Sequence, residues 1–89
     1  MRAAHEVAAH LRGEITLPEY EVRVPEQVDV AELRHRLGLS QARFANSFGL
    51  DLKALQAWEQ GRRYPDRTAR ILLAVIAREP EAVRRALAA

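Results

Sequence analysis

The sequence predicts an all-α domain of five short helices, preceded by an N-terminal segment that is partly extended or disordered. From residue 29 onward, apolar residues recur at the three- and four-residue spacing of amphipathic helices. Each of these runs opens on a residue that favours a helix start, and the first three end at glycine. With 89 residues, of which 48% are hydrophobic, the chain is long enough for one modest core. We therefore divide it into a leader, residues 1–28, and a helical domain, residues 29–89.

The leader combines two dissimilar segments. Residues 3–12 place Val7 and Leu11 four apart, which indicates a short helix that would be marginal in isolation. Two prolines bracket EYEVRV, residues 19–24, in which apolar and charged residues alternate with the period of a half-buried strand. Because the helical domain offers no sheet, such a strand needs a partner chain or a second copy. An extended linker laid across the helical body is an equally good interpretation.

The first two helices have well-marked ends. Asp29 caps the first, with Glu32 three residues later in a capping-box-like pair, and Gly38 ends it. Ser40 caps the second, and Gly49 closes it. The residues expected in the core are Val30, Leu33 and Leu37 from the first helix and Phe44, Ala45 and Phe48 from the second.

The other three helices are bounded by the same kinds of residue. Asp51 starts the third, which ends at Gly61, and Asp66 caps the fourth after a short loop. Pro80 is well suited to be the first residue of the fifth. The residues expected to face inward are Leu52, Leu55 and Trp58 in the third helix, Ala69, Leu72, Leu73 and Ile76 in the fourth, and Val83 and Leu87 in the fifth.

Composition excludes several kinds of function. The chain has no cysteine, and its three histidines are scattered, so we expect no disulfide, no metal site and no cofactor. No run approaches the length of a membrane span and no signal peptide is visible, so we expect a cytoplasmic protein without a membrane partner. An enzyme is also not expected, because no nucleophile–base pair or carboxylate dyad occurs at useful spacing.

The charge is unevenly distributed, although the net charge is only +2. The leader carries three arginines against five glutamates, a net charge of −2. The helical domain carries eleven lysines and arginines against seven acids, a net charge of +4. This pattern suits a polyanion as partner of the domain and a basic partner for the leader, although ordinary solvated charge explains it too.

The outward face of the third helix is polar but contains no acid. Lys53, Gln56, Ala57 and Gln60 share this face, opposite Leu55. Amide and ammonium groups can contact base edges in the major groove without repelling phosphate. The short link between the second and third helices, with glycine at its bend, is typical of a helix-turn-helix, in which the second of the two helices enters the groove. The sequence therefore predicts binding to double-stranded DNA.

The stretch LGLSQARFANSFGLDLKALQAWEQGRRYP resembles the lambda-repressor-like, or XRE-type, helix-turn-helix domain. It has the Ser-Gln opening of the second helix, glycine at the turn and a Trp-Glu-x-Gly-Arg exit, and the match covers about residues 30–78. The whole chain, including the ending AREPEAVRRAL, resembles HigA-type antitoxins. This resemblance implies a homodimer that represses its own operon and neutralises a RelE/HigB-like ribonuclease toxin. The alternatives are a free-standing XRE-type regulator without a toxin, and an adaptor that binds only protein.

Carried over position by position, the resemblance assigns nine residues to DNA binding. The two at the start of the second helix would contact phosphate or an outer base, the next four would face the bases, and the last three would contact the backbone. Asp51 stands where the family often has Ser or Thr. Because Leu52 and Ala57 cannot hydrogen-bond to bases, contact with a thymine methyl group is expected there. The nine are Ser40, Gln41, Leu52, Lys53, Gln56, Ala57, Gln60, Arg62 and Arg63.

The resemblance also implies a structural ion pair, and the charge and alternating pattern of the leader indicate where a toxin would bind. Arg34 and Glu59 match a salt bridge that would fix the first helix against the third, the alternative being two separate solvated charges. Trp58 and both phenylalanines are interpreted as core residues rather than base-stacking ones, because they lie on the apolar stripe. The acidic leader would cover the basic surface of a ribonuclease and add a strand to its sheet. The residues assigned to toxin binding are Glu19, Tyr20, Glu21, Val22, Arg23 and Val24.

Overall fold

The computed structural model describes residues 19–89, which form five helices and no β-strand. The predicted all-α fold class, with a helix-turn-helix, is confirmed. The helix predicted for residues 3–12 lies outside the described residues. The helices are α1 (Val30–Arg36), α2 (Gln41–Phe48), α3 (Leu52–Glu59), α4 (Arg67–Arg78) and α5 (Pro80–Leu87).

Four of the five helices begin with a side-chain cap. In each, an oxygen of the cap residue accepts a hydrogen bond from the backbone N–H three residues later, which satisfies a donor that the helix itself leaves unpaired. Pro80 opens α5 at a position where its missing N–H costs nothing. The caps are Asp29 with Glu32 at 3.0 Å, Ser40 with Arg43 at 3.1 Å, Asp51 with Ala54 at 3.0 Å, and Asp66 with Ala69 at 2.8 Å.

The turn between α2 and α3 depends on a glycine. Gly49 ends α2 with φ = 67°, in the left-handed region that other residues rarely adopt. The N–H of Leu50 then donates to the carbonyl of Ala45 at 2.9 Å, which closes the helix end. Only three residues separate the two helices, so α3 is set at a fixed angle against α2.

The core is built from residues of all five helices, with α2 packed against α3 and α5, α1 against α3, and α4 against α5. The rings of Phe44 and Phe48 lie 5.1 Å apart at a tilt of 60°, and the guanidinium of Arg84 lies 5.2 Å from the Phe48 ring centre. Leu87 was expected in the core, but it is 57% exposed because it lies in the last turn of α5, past the residues that cover Val83. Within residues 19–89, the buried hydrophobic residues of the core are Val30, Leu33, Phe44, Ala45, Phe48, Leu55, Leu73, Ile76 and Val83.

The described part of the leader is an extended segment beside α1 and α4. Residues 19–25 form no strand ladder, and Tyr20 and Val22 are each 82% exposed, so the alternating pattern does not produce a buried face in this chain. Residues of this segment, α1 and α4 line one open groove. The observed arrangement is thus the extended linker, and strand pairing with a partner stays a prediction.

Arg70 fastens this segment to the helical domain. Its Nε donates to the carbonyl of Pro25 at 2.8 Å, and its Nη1 donates to the carbonyl of Pro65 at 2.9 Å. Val28 packs against the core from the end of the segment. The leader therefore meets the domain in residues 25–28, and the division before residue 29 stays a prediction.

Within residues 19–89, no helix combines the length and apolar character required to cross a lipid bilayer. The same residues contain no cluster of three or more histidine, aspartate or glutamate side chains that could hold a metal ion.

Candidate nucleic-acid interface

The outward face of α3 carries the side chains expected to meet DNA. Lys53 and Gln60 are exposed, whereas Gln56 and Ala57 are half-buried beside α2. Leu55, on the opposite side, is completely buried, and Trp58 is half-buried and packs against the core as expected. Of the four side chains on this face, two are therefore exposed to solvent and two are partly covered by the protein.

The expectation that Leu52 faces the core is wrong. Leu52 is the first residue of α3 and is 36% exposed. A step of three residues rotates a side chain about 60° away from that of Leu55, which at the end of the helix leaves it outside the core. Leu52 therefore lies at the solvent-facing start of α3, where its second assignment, as a base-facing residue, would place it.

An ion pair fixes α3 against α1. Arg34 Nε donates to Glu59 Oε2 and Arg34 Nη2 donates to Glu59 Oε1, both at 2.8 Å. The side chains are only 12% and 8% exposed, respectively, so the pair is largely removed from water. Arg34 Nη1 also donates to the carbonyl of Leu39 at 3.0 Å, in the turn before α2. One guanidinium thus joins α1, α3 and the turn that leads into α2.

The pair shifts both acid–base equilibria towards the charged forms. Hydrogen bonding from Arg34 holds the pKa of Glu59 below its usual value, although burial opposes this shift and a hydrogen bond from Gln41 adds to it. The bond to Glu59 likewise raises the pKa of Arg34. Both groups are therefore ionised at neutral pH.

The ion pair continues into a chain of amides. Gln41 Nε2 donates to Glu59 Oε1 at 3.2 Å, and Gln56 Nε2 donates to Gln41 Oε1 at 3.4 Å. Gln41, assigned to phosphate or an outer base, therefore has its amide turned towards α3 and keeps one N–H for a further partner. These contacts place the start of α2 beside the second half of α3.

The residues assigned to the DNA backbone lie at the two edges of this face. Ser40 is exposed, and its Oγ caps α2. Arg62 and Arg63 are exposed just after Gly61, whose φ of 74° turns the chain away from α3. The backbone N–H groups of both arginines donate to the carbonyl of Ala57, at 2.9 Å and 3.3 Å. This closed turn holds both arginines at the end of α3.

No free carboxylate of α3 or its N-cap opposes an anion at this face. Asp51 uses its carboxylate to cap the N–H of Ala54, and Glu59 is paired with Arg34. The remaining charges in residues 50–63 are Lys53, Arg62 and Arg63. The electrostatic character of this part of the chain is therefore positive.

The leader residues assigned to toxin binding lie apart from this face. Five of the six are exposed, and Val24 is half-buried. Arg23 Nε donates to Glu21 Oε1 at 3.2 Å, but both side chains are more than 70% exposed, so the pair contributes little to stability. It offsets the negative charge of Glu21 locally, and residues 19–24 carry a net charge of −1.

Two arginines with structural consequences were not anticipated from the sequence. Arg70 binds the carbonyl of Pro25, and Arg36 Nη2 contacts the carbonyl of Ala77 at 3.4 Å. Every residue carries a backbone carbonyl, so no pattern of side chains marks such a partner. Arg43 is also exposed, in the first turn of α2, although it was not among the residues assigned to DNA.

Comparison with known proteins gives one informative similarity. The chain matches no family model. It is similar to a protein named Antitoxin HigA-2 from Vibrio cholerae serotype O1 (strain ATCC 39315 / El Tor Inaba N16961), with 28% identity over 81 residues. The alignment covers 85% of this chain and 78% of that protein, so it includes most of the helical domain and part of the leader. This similarity agrees with the resemblance to HigA-type antitoxins noted in the sequence.

Proposed function

We propose that this chain is a DNA-binding antitoxin with an XRE-type helix-turn-helix. It binds double-stranded operator DNA as a homodimer, represses its own operon and neutralises a RelE/HigB-like ribonuclease toxin. The similarity to an antitoxin along most of both chains supports this role. The chain is proposed to act by binding and not as an enzyme.

The observation that carries the proposal is the outward face of α3. It presents Lys53 and the amides of Gln56 and Gln60, and its two neighbouring carboxylates are engaged by a cap and an ion pair. Arg62 and Arg63 follow at its end. A helix of this kind, set by a short turn against its predecessor, is the element that enters the major groove in helix-turn-helix proteins.

Different residues of this face would contact the phosphates and the bases of the operator. Ser40 and Gln41 lie at the positively polarised start of α2 and would contact phosphate. Leu52 and Ala57 offer apolar contact to thymine methyl groups, and Lys53 and Gln56 offer hydrogen bonds to base edges. The last three residues, Gln60, Arg62 and Arg63, would contact the DNA backbone.

The leader would bind the toxin. A ribonuclease must present a basic surface to RNA, and the four glutamates of residues 14–26 complement such a surface. Tyr20 and Val22 are exposed and available as apolar anchors. If the segment adds a strand to the toxin's sheet, it would leave its present extended path beside α4.

The DNA-binding half of the proposal is tested by salt-dependent titration. Operator DNA from upstream of the gene is titrated at several salt concentrations with the full chain and with Arg62→Ala and Arg63→Ala variants. Each variant should bind all sequences less tightly and reduce the slope of log affinity against log salt by about 0.9. Arg85→Ala, which removes an exposed arginine from the last turn of α5, is the matched control and should leave the slope unchanged.

A combined variant decides the assignment of the face. Replacement of Lys53, Gln56, Arg62 and Arg63 together by alanine should abolish operator binding while the helical content is retained. Undiminished binding by this variant would place the DNA elsewhere on the protein and would favour the protein-only adaptor for the α3 face.

A free-standing regulator without a toxin is the second candidate. The observation that favours it is the attachment of the leader by Arg70, which makes residues 25–28 part of the helical body instead of a free arm. In that case the leader would only support dimerisation. A short basic reading frame of RelE type next to this gene would favour the antitoxin over this alternative.

A further inference from the structure

The guanidinium of Arg70 contacts two backbone segments that are distant in the sequence. Its Nε donates to the carbonyl of Pro25 in the leader at 2.8 Å, and its Nη1 donates to the carbonyl of Pro65 at 2.9 Å. Pro65 is buried and immediately precedes Asp66, the N-cap of α4. One side chain of α4 is therefore bonded both to the leader and to the loop between α3 and α4, residues 60–66.

This loop carries the two arginines assigned to the operator backbone. Arg62 and Arg63 are exposed, and their backbone N–H groups donate to the carbonyl of Ala57 in α3. A single residue separates Arg63 from Pro65. The stretch with the two arginines is thus held to α3 at one end and, through Arg70, to α4 at the other. A loop that is fixed before DNA binds loses less conformational entropy on binding, which strengthens its contacts with phosphate.

The two bonds of Arg70 strengthen each other. A free arginine side chain populates many rotamers, and holding it in one of them costs conformational entropy. This cost arises once although two carbonyls are bound, so each bond forms more readily when the other is present. Attachment of Pro25 therefore favours the orientation in which Arg70 holds Pro65.

We propose that Arg70 is a positioning residue for the operator contacts of Arg62 and Arg63, and that the carbonyl of Pro25 orients it. The inference rests on the proposed function, since it concerns the contacts of that loop with the DNA backbone. Arg70 acts through the loop and does not itself contact DNA, because its side chain is half-buried and bonded to two carbonyls. The leader thereby contributes to operator binding although its exposed residues lie apart from the α3 face.

The first test measures operator affinity at several salt concentrations with the full chain and three variants. Arg70→Met removes both bonds and keeps an apolar stem, whereas Arg70→Lys keeps the charge but replaces the guanidinium fork by a single ammonium. Arg78→Met is the matched control, because it removes an exposed arginine from the other end of α4. Circular dichroism establishes that each variant is folded at the temperature of the titration.

The expected results separate positioning from direct contact. Arg70→Met should lower operator affinity by about 2- to 10-fold for all sequences alike, the range expected for loss of one hydrogen bond. The slope of log affinity against log salt should stay that of the unaltered chain, because no phosphate contact is removed. Arg70→Lys should also bind less tightly than the unaltered chain, since one ammonium does not reproduce the fork. Arg78→Met should match the unaltered chain.

The second test uses the reciprocal of this coupling. If attachment of the leader favours operator binding, operator binding must favour attachment of the leader by the same factor. Trypsin cleavage after Arg23, followed by mass spectrometry, reports how readily the leader separates from the domain. Saturating operator DNA should slow this cleavage by about 2- to 3-fold in the unaltered chain and leave it unchanged in Arg70→Met. A small peptide substrate in the same sample controls for inhibition of the protease by DNA.

Several outcomes would overturn the inference and leave the proposed function in place. Unchanged operator affinity in Arg70→Met would show that the loop needs no support from Arg70. A salt slope reduced by about 0.9 in that variant would make Arg70 a direct phosphate contact. Full affinity in Arg70→Lys would assign the effect to charge alone. Equal slowing of cleavage in the unaltered chain and in Arg70→Met would mean that DNA shields the leader directly.

Failure of the proposed function has a different signature. Absence of operator binding by the unaltered chain would remove the proposed function and this inference together. An unchanged salt slope in both Arg62→Ala and Arg63→Ala would show that these arginines do not contact the operator, and Arg70 would then have no contact to position.

Discussion

Arg34 and Arg70 each connect distant parts of this chain, and they use different acceptors. Arg34 forms a two-point pair with a carboxylate that is 8% exposed, and it joins α1 to α3. Arg70 donates to two backbone carbonyls, those of Pro25 and Pro65, and joins the leader to the helical domain. Loss of the first contact leaves a buried charge without a partner, whereas loss of the second leaves only neutral carbonyls without this donor.

The difference separates two regions. The helical domain, residues 29–89, is the fixed region, and residues 19–24 form a segment whose contacts with the domain a partner protein can replace. Within residues 19–89, all nine buried hydrophobic residues lie between Val30 and Val83, so the helical domain supplies the core of this part of the chain. The leader contributes half-buried Val28 and the hydrogen bond from Arg70. We therefore expect that residues 19–24 can leave the domain and bind a partner with little loss of folding free energy. The helices that position α3 would keep their arrangement.

Of the changes predicted, removal of the leader should have the largest effect. It should abolish toxin binding and leave the helical domain largely unchanged. A chain beginning at Val28 keeps all the buried hydrophobic residues found within residues 19–89, so we expect it to retain its helical content and most of its operator affinity while it loses toxin binding. The measurement is a paired titration of full-length and truncated protein with the toxin and with operator DNA. Toxin binding that survives truncation would place the interface on the helices, and loss of operator binding alone would make the leader a dimerisation or DNA-contacting arm.

Breaking the Arg34–Glu59 pair should have the largest effect on stability. Glu59→Leu leaves Arg34 buried without its partner and should lower the free energy of unfolding by about 3–5 kcal/mol. Replacing both residues by leucine should be nearly neutral, because it removes the desolvation cost together with the attraction. A double-mutant cycle from denaturant unfolding measures the coupling, with the exposed Glu21–Arg23 pair as a control expected to show none. Absence of coupling between residues 34 and 59 would make them independent charges.

Acid should weaken the fixed region through Glu59. Its pKa is lower in the folded chain than in the unfolded one, so its contribution to stability is complete above the unfolded value of about 4.3 and is lost as the pH falls through the folded value. We expect the melting temperature to fall less steeply below about pH 4 in the double leucine variant than in the unaltered chain. Parallel melting curves from pH 6 to 2 would show that other carboxylates dominate the acid response.

The helix ends were predictable because their determinants are local. Asp29, Ser40, Asp51 and Asp66 each bond to an N–H three residues later, so the sequence around the cap contains the whole interaction. The stripe of buried residues follows from the helical period in the same way. Leu52 and Leu87 were placed wrongly because periodicity gives the direction of a side chain but not whether another element covers it at the helix end.

Long-range polar contacts were predictable only where two side chains have complementary charge. Arg34 and Glu59 are 25 residues apart and were identified by resemblance. The contact of Arg70 with Pro25 spans 45 residues and uses a backbone carbonyl, which no residue type distinguishes. The turn of Gln41 towards Glu59 depends on the packing of α2 against α3, so its direction became evident only from the structure.

The smallest expected effect comes from the contact that fastens the leader. Arg70→Met removes the two bonds to Pro25 and Pro65 but keeps an apolar stem, so we expect it to lower the free energy of unfolding by only about 1 kcal/mol. Its effect on the leader should be easier to detect, because the segment that contains Arg23 is then held mainly by Val28. Trypsin cleavage after Arg23, followed by mass spectrometry, should become faster. Arg67→Met is the matched control, since it removes an exposed arginine and one trypsin site from the same helix and should leave this cleavage rate unchanged. Equal cleavage rates in the two variants would mean that Arg70 does not hold the leader against the helical domain. The contrast drawn between Arg34 and Arg70 would then be wrong for Arg70.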